Sequence, residues 1–106
     1  MKFISPEELK ARLDAGEAVN LLDVRELEEH EIFSIGGRTL SVDEIYAMHI
    51  EDIEDWKEME VVCYCRSGNR SMRAALMLET IGFTQVKNLQ GGMVAWKERY
   101  DPDTTV

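Results

Sequence analysis

Residues 65–71 read CRSGNRS: Cys65, then Arg66, Ser67, Gly68, Asn69, Arg70 and Ser71. A thiol attacks as its thiolate, and a free cysteine with a pKa near 8.5 is only a few per cent ionised at neutral pH. A segment that activates Cys65 must therefore stabilise negative charge on one sulfur atom. Backbone amides turned inward as a nest, with a helix N-terminus aimed at the sulfur, would supply fixed partial positive charge. Gly68 permits the positive φ or close backbone approach that a tight cradle needs, and Asn69 is the next most tolerant residue. Lowering the pKa by about two units takes about 2.7 kcal/mol. A helix terminus gives up to about 2 kcal/mol in a partly buried site, and an arginine at about 4 Å gives about 4 at an effective dielectric of 20, before desolvation losses. The stretch reads as an anion cradle around a sulfur nucleophile. A buried cysteine beside surface arginines on a turn is the plainer reading, and it leaves the company of Gly68 and two arginines unexplained.

The surrounding charge supports the cradle. The chain of 106 residues carries a net charge of −9, with an isoelectric point near 4.6, yet Val61 to Leu78 holds Arg66, Arg70 and Arg73 and no acid. So acidic a chain is not expected to partner nucleic acid or anionic membranes, both of which bind through excess Lys and Arg. Its length fits one domain, 1–106, with 101–106 as a frayed tail. MKFISPEELK has no apolar leader core, and no stretch approaches the roughly 18 apolar residues of a membrane span. The expectation is a cytoplasmic protein.

Cys63 and Cys65 would lie on one strand face, about 6.5 Å apart at Cα, where a disulfide is strained. Both read as thiols of a reducing compartment, and oxidation of the pair as a switch is the lesser reading. His30 and His49 have no Cys or His at ligand spacing, so structural roles are expected, with no metal and no cofactor.

These residues need elements to position them. Ser5-Pro6-Glu7-Glu8 supplies a cap, a proline at N1 and a glutamate at N3 for a first helix that stops at Gly16. Val19 to Val24 is a short apolar run suited to a strand buried on both faces, followed by a polar helix over Glu26 to Phe33. SIGGR (34–38) reads as a turn into a brief strand at Thr39 and Leu40. Ser41-Val42-Asp43-Glu44 repeats the capping pattern ahead of a helix broken near Ile50. Val61 to Tyr64 is a second strong strand, and Ser71 to Ile81 the clearest helix, with Ala74, Ala75, Leu78 and Ile81 on one stripe. A last strand, Val86 to Leu89, turns through Gly91-Gly92 into a helix from Met93 to Tyr100. Met48, Met72, Met77, Met93 and Trp96 are expected in the core. Alternating strands and helices imply a parallel α/β sheet covered on both faces, with ligands outside the carboxyl ends of its strands. Cys65 falls at such an end.

ISPEELKARLDAGEAVNLLDVRE, VVCYCRSGNRSMRAALMLETIGF and VKNLQGGMVAW, in that order, resemble the rhodanese (sulfurtransferase) family over nearly the whole chain. The resemblance implies a five-stranded parallel sheet flanked by helices, with an active-site loop that begins at Cys65. A related branch of the same fold, the cell-cycle dual-specificity phosphatases, encloses five residues between its cysteine and arginine; Cys65 and Arg70 enclose four. That implies a cradle sized for a sulfur atom rather than a tetrahedral phosphate. Phosphoester cleavage also wants a general acid for the departing alkoxide, whereas sulfite leaves thiosulfate without a proton.

The implied reaction is double displacement. Cys65 takes a sulfane sulfur from a small-molecule donor such as thiosulfate and passes the persulfide sulfur to cyanide, a small thiol or a sulfur-accepting protein. Arg66 and Arg70 would hold the anionic donor, with Ser67 and Ser71 as hydroxyl donors. Asp23 and Arg25 match the family's D-x-R and would brace the loop or form a surface ion pair. Where the family shows H-I-P-G-A, this chain has Ser34-Ile35-Gly36-Gly37-Arg38, which implies a looser turn with an added charge. Two rival readings are a binding or regulatory module that keeps the fold without turnover, and a cysteine-based phosphatase or arsenate reductase.

Overall fold

The computed structural model describes residues 1–101. Its elements in chain order are β1 (Lys2–Ile4), α1 (Pro6–Asp14), β2 (Leu21–Asp23), α2 (Leu27–Ile32), β3 (Arg38–Thr39), α3 (Val42–Tyr46), a 3-10 helix (Glu51–Trp56), β4 (Glu60–Tyr64), α4 (Asn69–Ile81), β5 (Gln85–Leu89) and α5 (Gly92–Tyr100). The strands form one parallel sheet in the order β1-β5-β4-β2-β3. Of the expected tail, only Asp101 falls within the described residues.

The helix starts follow their caps. Ser5 Oγ accepts the Glu8 amide at 3.1 Å and Pro6 opens α1, while Ser41 Oγ accepts the Glu44 amide at 3.3 Å ahead of α3. At α2 the Glu29 carboxylate accepts the Glu26 amide at 3.2 Å. The break expected near Ile50 lies between α3 and the 3-10 helix, where Met48 adopts a positive φ of 65°.

The residues by themselves do not announce β1. It has three residues, of which Lys2 and Phe3 are exposed, so no alternation marks it; its place comes from pairing with β5 at the sheet edge.

Strand alternation divides the interior into two cores. Val61, Cys63 and Cys65 face one side with Leu22, Val24, Ile45, Ile53, Trp56, Ala74, Ala75 and Leu78. Val62 and Tyr64 face the other with Ile4, Leu9, Leu21, Leu89, Met93 and Trp96. Both faces of β4 are thus covered, as its unbroken apolar run requires. The methionines divide. Met93 is buried and Met77 packs against a core, but Met48 and Met72 stand at the surface, Met48 in the turn after α3 and Met72 on the outward side of α4.

Candidate active site

Cys65 directly follows β4, the strand flanked by β2 and β5, at the carboxyl end of the sheet. The chain then turns through Arg66, Ser67 and Gly68 into α4. Gly68 is the N-cap and adopts φ 105°, the left-handed conformation expected of it. Asn69 does not share that conformation; it is already the first residue of the helix.

This bend aims donors at one atom. Cys65 Sγ accepts the Gly68 amide at 3.0 Å, the Ser71 amide at 3.4 Å and the Ser71 hydroxyl at 3.3 Å. Burial by itself would raise the thiol. The Ser71 hydroxyl and the amides of Ser71, Gly68 and Ser67 outweigh that and hold it below the ordinary cysteine value. Here the structure corrects the part played by the arginines: among the described residues none donates to the sulfur, and Arg70 acts on Cys65 through its charge without a hydrogen bond. Cys63 on the same strand face has burial without donors, and its thiol is pushed up to about 12. Of two nearby cysteines, only Cys65 is prepared to ionise.

Arg70 points instead at α2, where it forms a bidentate pair with Glu29 at 2.8 and 2.9 Å. Arg66 and Ser67 are exposed at the mouth of the loop. Ser71 is buried, and its hydroxyl also meets Gly68 O at 3.3 Å and Asn88 Oδ1. Asn88 of β5 in turn donates to Gly68 O at 3.2 Å. Sequence reasoning passed over Asn88. Its signal was an amide side chain in the short strand VKNL, where a buried position holds it only if the amide finds partners.

A second omission lies at the glycine pair before α5. The Met93 amide donates to Cys65 O and the Val94 amide to Arg66 O, both at 2.9 Å, so the first turn of the last helix holds the start of the loop. A Cβ on Gly92 would lie 2.4 Å from Cys65 O, which requires glycine there.

Asp23 and Arg25 do not form a surface pair: both are buried, with Arg25 Nη2 to Asp23 Oδ2 at 2.8 Å. Arg25 also donates to Phe33 O at 2.6 Å, and Asp23 Oδ2 meets His30 Nδ1 at 2.9 Å. None of their hydrogen bonds among the described residues reaches 66–71. They fasten α2 and the turn beyond it, and α2 carries Glu29 to Arg70. His30 is therefore part of this support, while His49 is exposed. The 34–38 turn is tied by the Tyr64 hydroxyl, which donates to Gly36 O at 2.7 Å. The extra charge there, Arg38, stacks 4.0 Å over the Trp56 ring and pairs with Asp55 at 2.7 Å.

Known proteins are similar to this chain in sequence and fold. A model of the family "Rhodanese-like domain" matches residues 5–99. YtwF of Bacillus subtilis, named as a sulfurtransferase, is 38% identical over 109 residues, covering 96% of each chain. MoeZ of Mycobacterium tuberculosis, named as an adenylyltransferase/sulfurtransferase, is 34% identical over 100 residues; they make up 94% of this chain but 26% of MoeZ. The chain likewise spans about a quarter of the maize MOCS3 relatives it matches. The human single-domain sulfurtransferase TSTD1 superposes with a TM-score of 0.77 at 25% identity, over 93% of this chain and 97% of that one. With a five-stranded parallel sheet, a family match over most of its length and a relative, YtwF, covered to 96%, this chain belongs to the rhodanese-like domain family.

Proposed function

We propose that this chain is a sulfurtransferase that carries a sulfane sulfur as a persulfide on Cys65. The observation that supports it is the convergence of the Gly68 amide, the Ser71 amide and the Ser71 hydroxyl on Cys65 Sγ at 3.0 to 3.4 Å. In the first step the thiolate attacks the outer sulfur of thiosulfate or a related donor. A bond forms between Cys65 Sγ and that sulfur, the donor's S–S bond breaks, and sulfite leaves with the electron pair. In the second step a thiol or cyanide attacks the outer sulfur, and the electron pair of the broken bond returns to Cys65.

The donors that lower the thiol also suit the persulfide, an anion one atom longer. Arg66, exposed and without a carboxylate partner among the described residues, meets the anionic donor first, while Arg70 works from its pairing with Glu29. The names of MoeZ and YtwF favour transfer of sulfur over phosphoester cleavage. A reducing cytoplasm would keep Cys65 available. No helix of the described residues is long and apolar enough to cross a membrane.

Intact mass spectrometry tests the reading. Incubation with thiosulfate should add one sulfur atom, cyanide should remove it, and Cys65→Ala should never acquire it. Absence of the adduct with both thiosulfate and glutathione persulfide would overturn the proposal.

A further inference from the structure

The arginines of this acidic chain are nearly all engaged. Arg12 binds Glu17 and Glu60, Arg25 binds Asp23, Arg38 binds Asp55, Arg70 binds Glu29 and Arg99 binds Glu7. Among the described residues, Arg66 and Arg73 have no carboxylate within ion-pair distance, and both are exposed. Arg66 stands at the mouth of the Cys65 loop, and Arg73 lies one turn into the helix that the loop opens. In a chain of net charge −9, two bare guanidinium groups on the Cys65 loop and the helix it opens are not explained by the fold.

Apolar side chains share their surface. Met72 is 37% and Leu76 50% exposed, and the two are neighbours at i and i+4 on α4. Asn69, Arg73, Leu76 and Thr80 recur at helical spacing along the outward side, all exposed. Glu79, the one acid of α4, is drawn to the Met1 amino group at 2.8 Å. This cationic and apolar strip runs from the cradle about 10 Å along the helix, at roughly 1.5 Å per residue. Thiosulfate, a few ångströms long, cannot use Leu76; a polypeptide can.

We infer that the outward face of α4, with Arg66, Met72, Arg73 and Leu76, docks an acidic polypeptide that accepts the sulfur on its own cysteine. This rests on the sulfurtransferase reading and names the acceptor. The partner's thiolate attacks the outer sulfur of the Cys65 persulfide, a new S–S bond forms on the partner, and the electron pair of the broken bond returns to Cys65. The partner's thiol loses its proton to water beforehand, and no external oxidant or reductant enters. The chain as a whole is acidic, and Lys2 and Lys57, exposed and unpaired among the described residues, lie outside α4, so it is the bare arginines beside apolar side chains on and next to α4 that set the partner's orientation.

Two synthetic peptides of equal length serve as probes, each with a leucine near a central cysteine, one flanked by Asp and Glu and the other by Lys. On the persulfide-loaded protein the acidic peptide should remove sulfur about tenfold or more faster than the basic one at low salt, the two rates converging at about 0.5 M salt. Arg73→Glu and Leu76→Ser should each slow the acidic peptide and leave discharge by 2-mercaptoethanol unchanged. Fluorescence anisotropy with serine versions of both peptides measures docking on the unloaded protein, independent of any sulfur chemistry. Equal binding of the two, or binding indifferent to Arg73→Glu, overturns the docking surface even where Cys65 loads normally. Peptide binding without any mass gain at Cys65 overturns the transfer step instead.

Discussion

Ser71 has one hydroxyl proton and three acceptors around it: Cys65 Sγ, Gly68 O and Asn88 Oδ1. The proton can point to one of them at a time; Asn88 Nδ2 already donates to Gly68 O, which leaves Cys65 Sγ and Asn88 Oδ1 to share it. A hydrogen bond to a charged group contributes about 1.5–3 kcal/mol, less when shared. Ser71→Ala should therefore raise the Cys65 pKa. Alkylation by iodoacetamide at pH 7 should slow severalfold, about tenfold if 1.4 kcal/mol is lost, with the pH midpoint moved upward. An unmoved midpoint would mean that the amides alone govern the thiolate. The residue types of this loop were legible in the sequence, because Cys65, Gly68 and Ser71 each have a restricted chemistry. Which donors reach the sulfur was not, because Arg70 is long enough to pair elsewhere, and it pairs with Glu29.

At the scale of elements, the loop is held from two sides. Helix α5 donates the Met93 and Val94 amides to the carbonyls of Cys65 and Arg66, and α2 offers Glu29 to Arg70. Gly92 makes the first contact possible with φ 56° and no Cβ. Gly92→Ala would place a methyl group against two backbone carbonyls in a conformation that alone costs about 1–2 kcal/mol. The loss of stability should be about 2–4 kcal/mol in urea denaturation, with persulfide formation reduced in the fraction that stays folded. An unchanged midpoint would show that the helix end moves aside freely. The helices themselves were legible from Ser5, Ser41 and the Ala74–Leu78 stripe, whereas β1 was not, since an edge strand of three residues is defined by its neighbour β5.

For the whole molecule, ion pairs tie distant segments of a chain with a net charge of −9. The Arg70 guanidinium holds Glu29 at about 2, against 4.5 for an ordinary glutamate. Arg12 foremost, against the cost of burial, and Lys87 keep Glu60 low as well. A carboxylate whose folded pKa is depressed stabilises the fold fully above its unfolded value, and that contribution disappears as pH falls through the folded value. The Glu29 contribution should thus be complete above pH 4.5 and decline from there towards pH 2. Urea denaturation at pH 6 and pH 3 should show a smaller drop for Glu29→Gln than for the wild type. Equal drops would mean that the pair survives unfolding or adds nothing.

The sequence by itself determined the strand, bend and helix that place Cys65, because apolar runs, caps and a glycine constrain the backbone locally. It also set the excess of acid against which three arginines stand out. Only the tertiary structure decided which of those arginines are free, why Asn88 matters and how Gly92 lets a second helix grip the loop. Each of these depends on groups from separate strands and helices meeting at a few ångströms, a distance that no local pattern along the chain encodes.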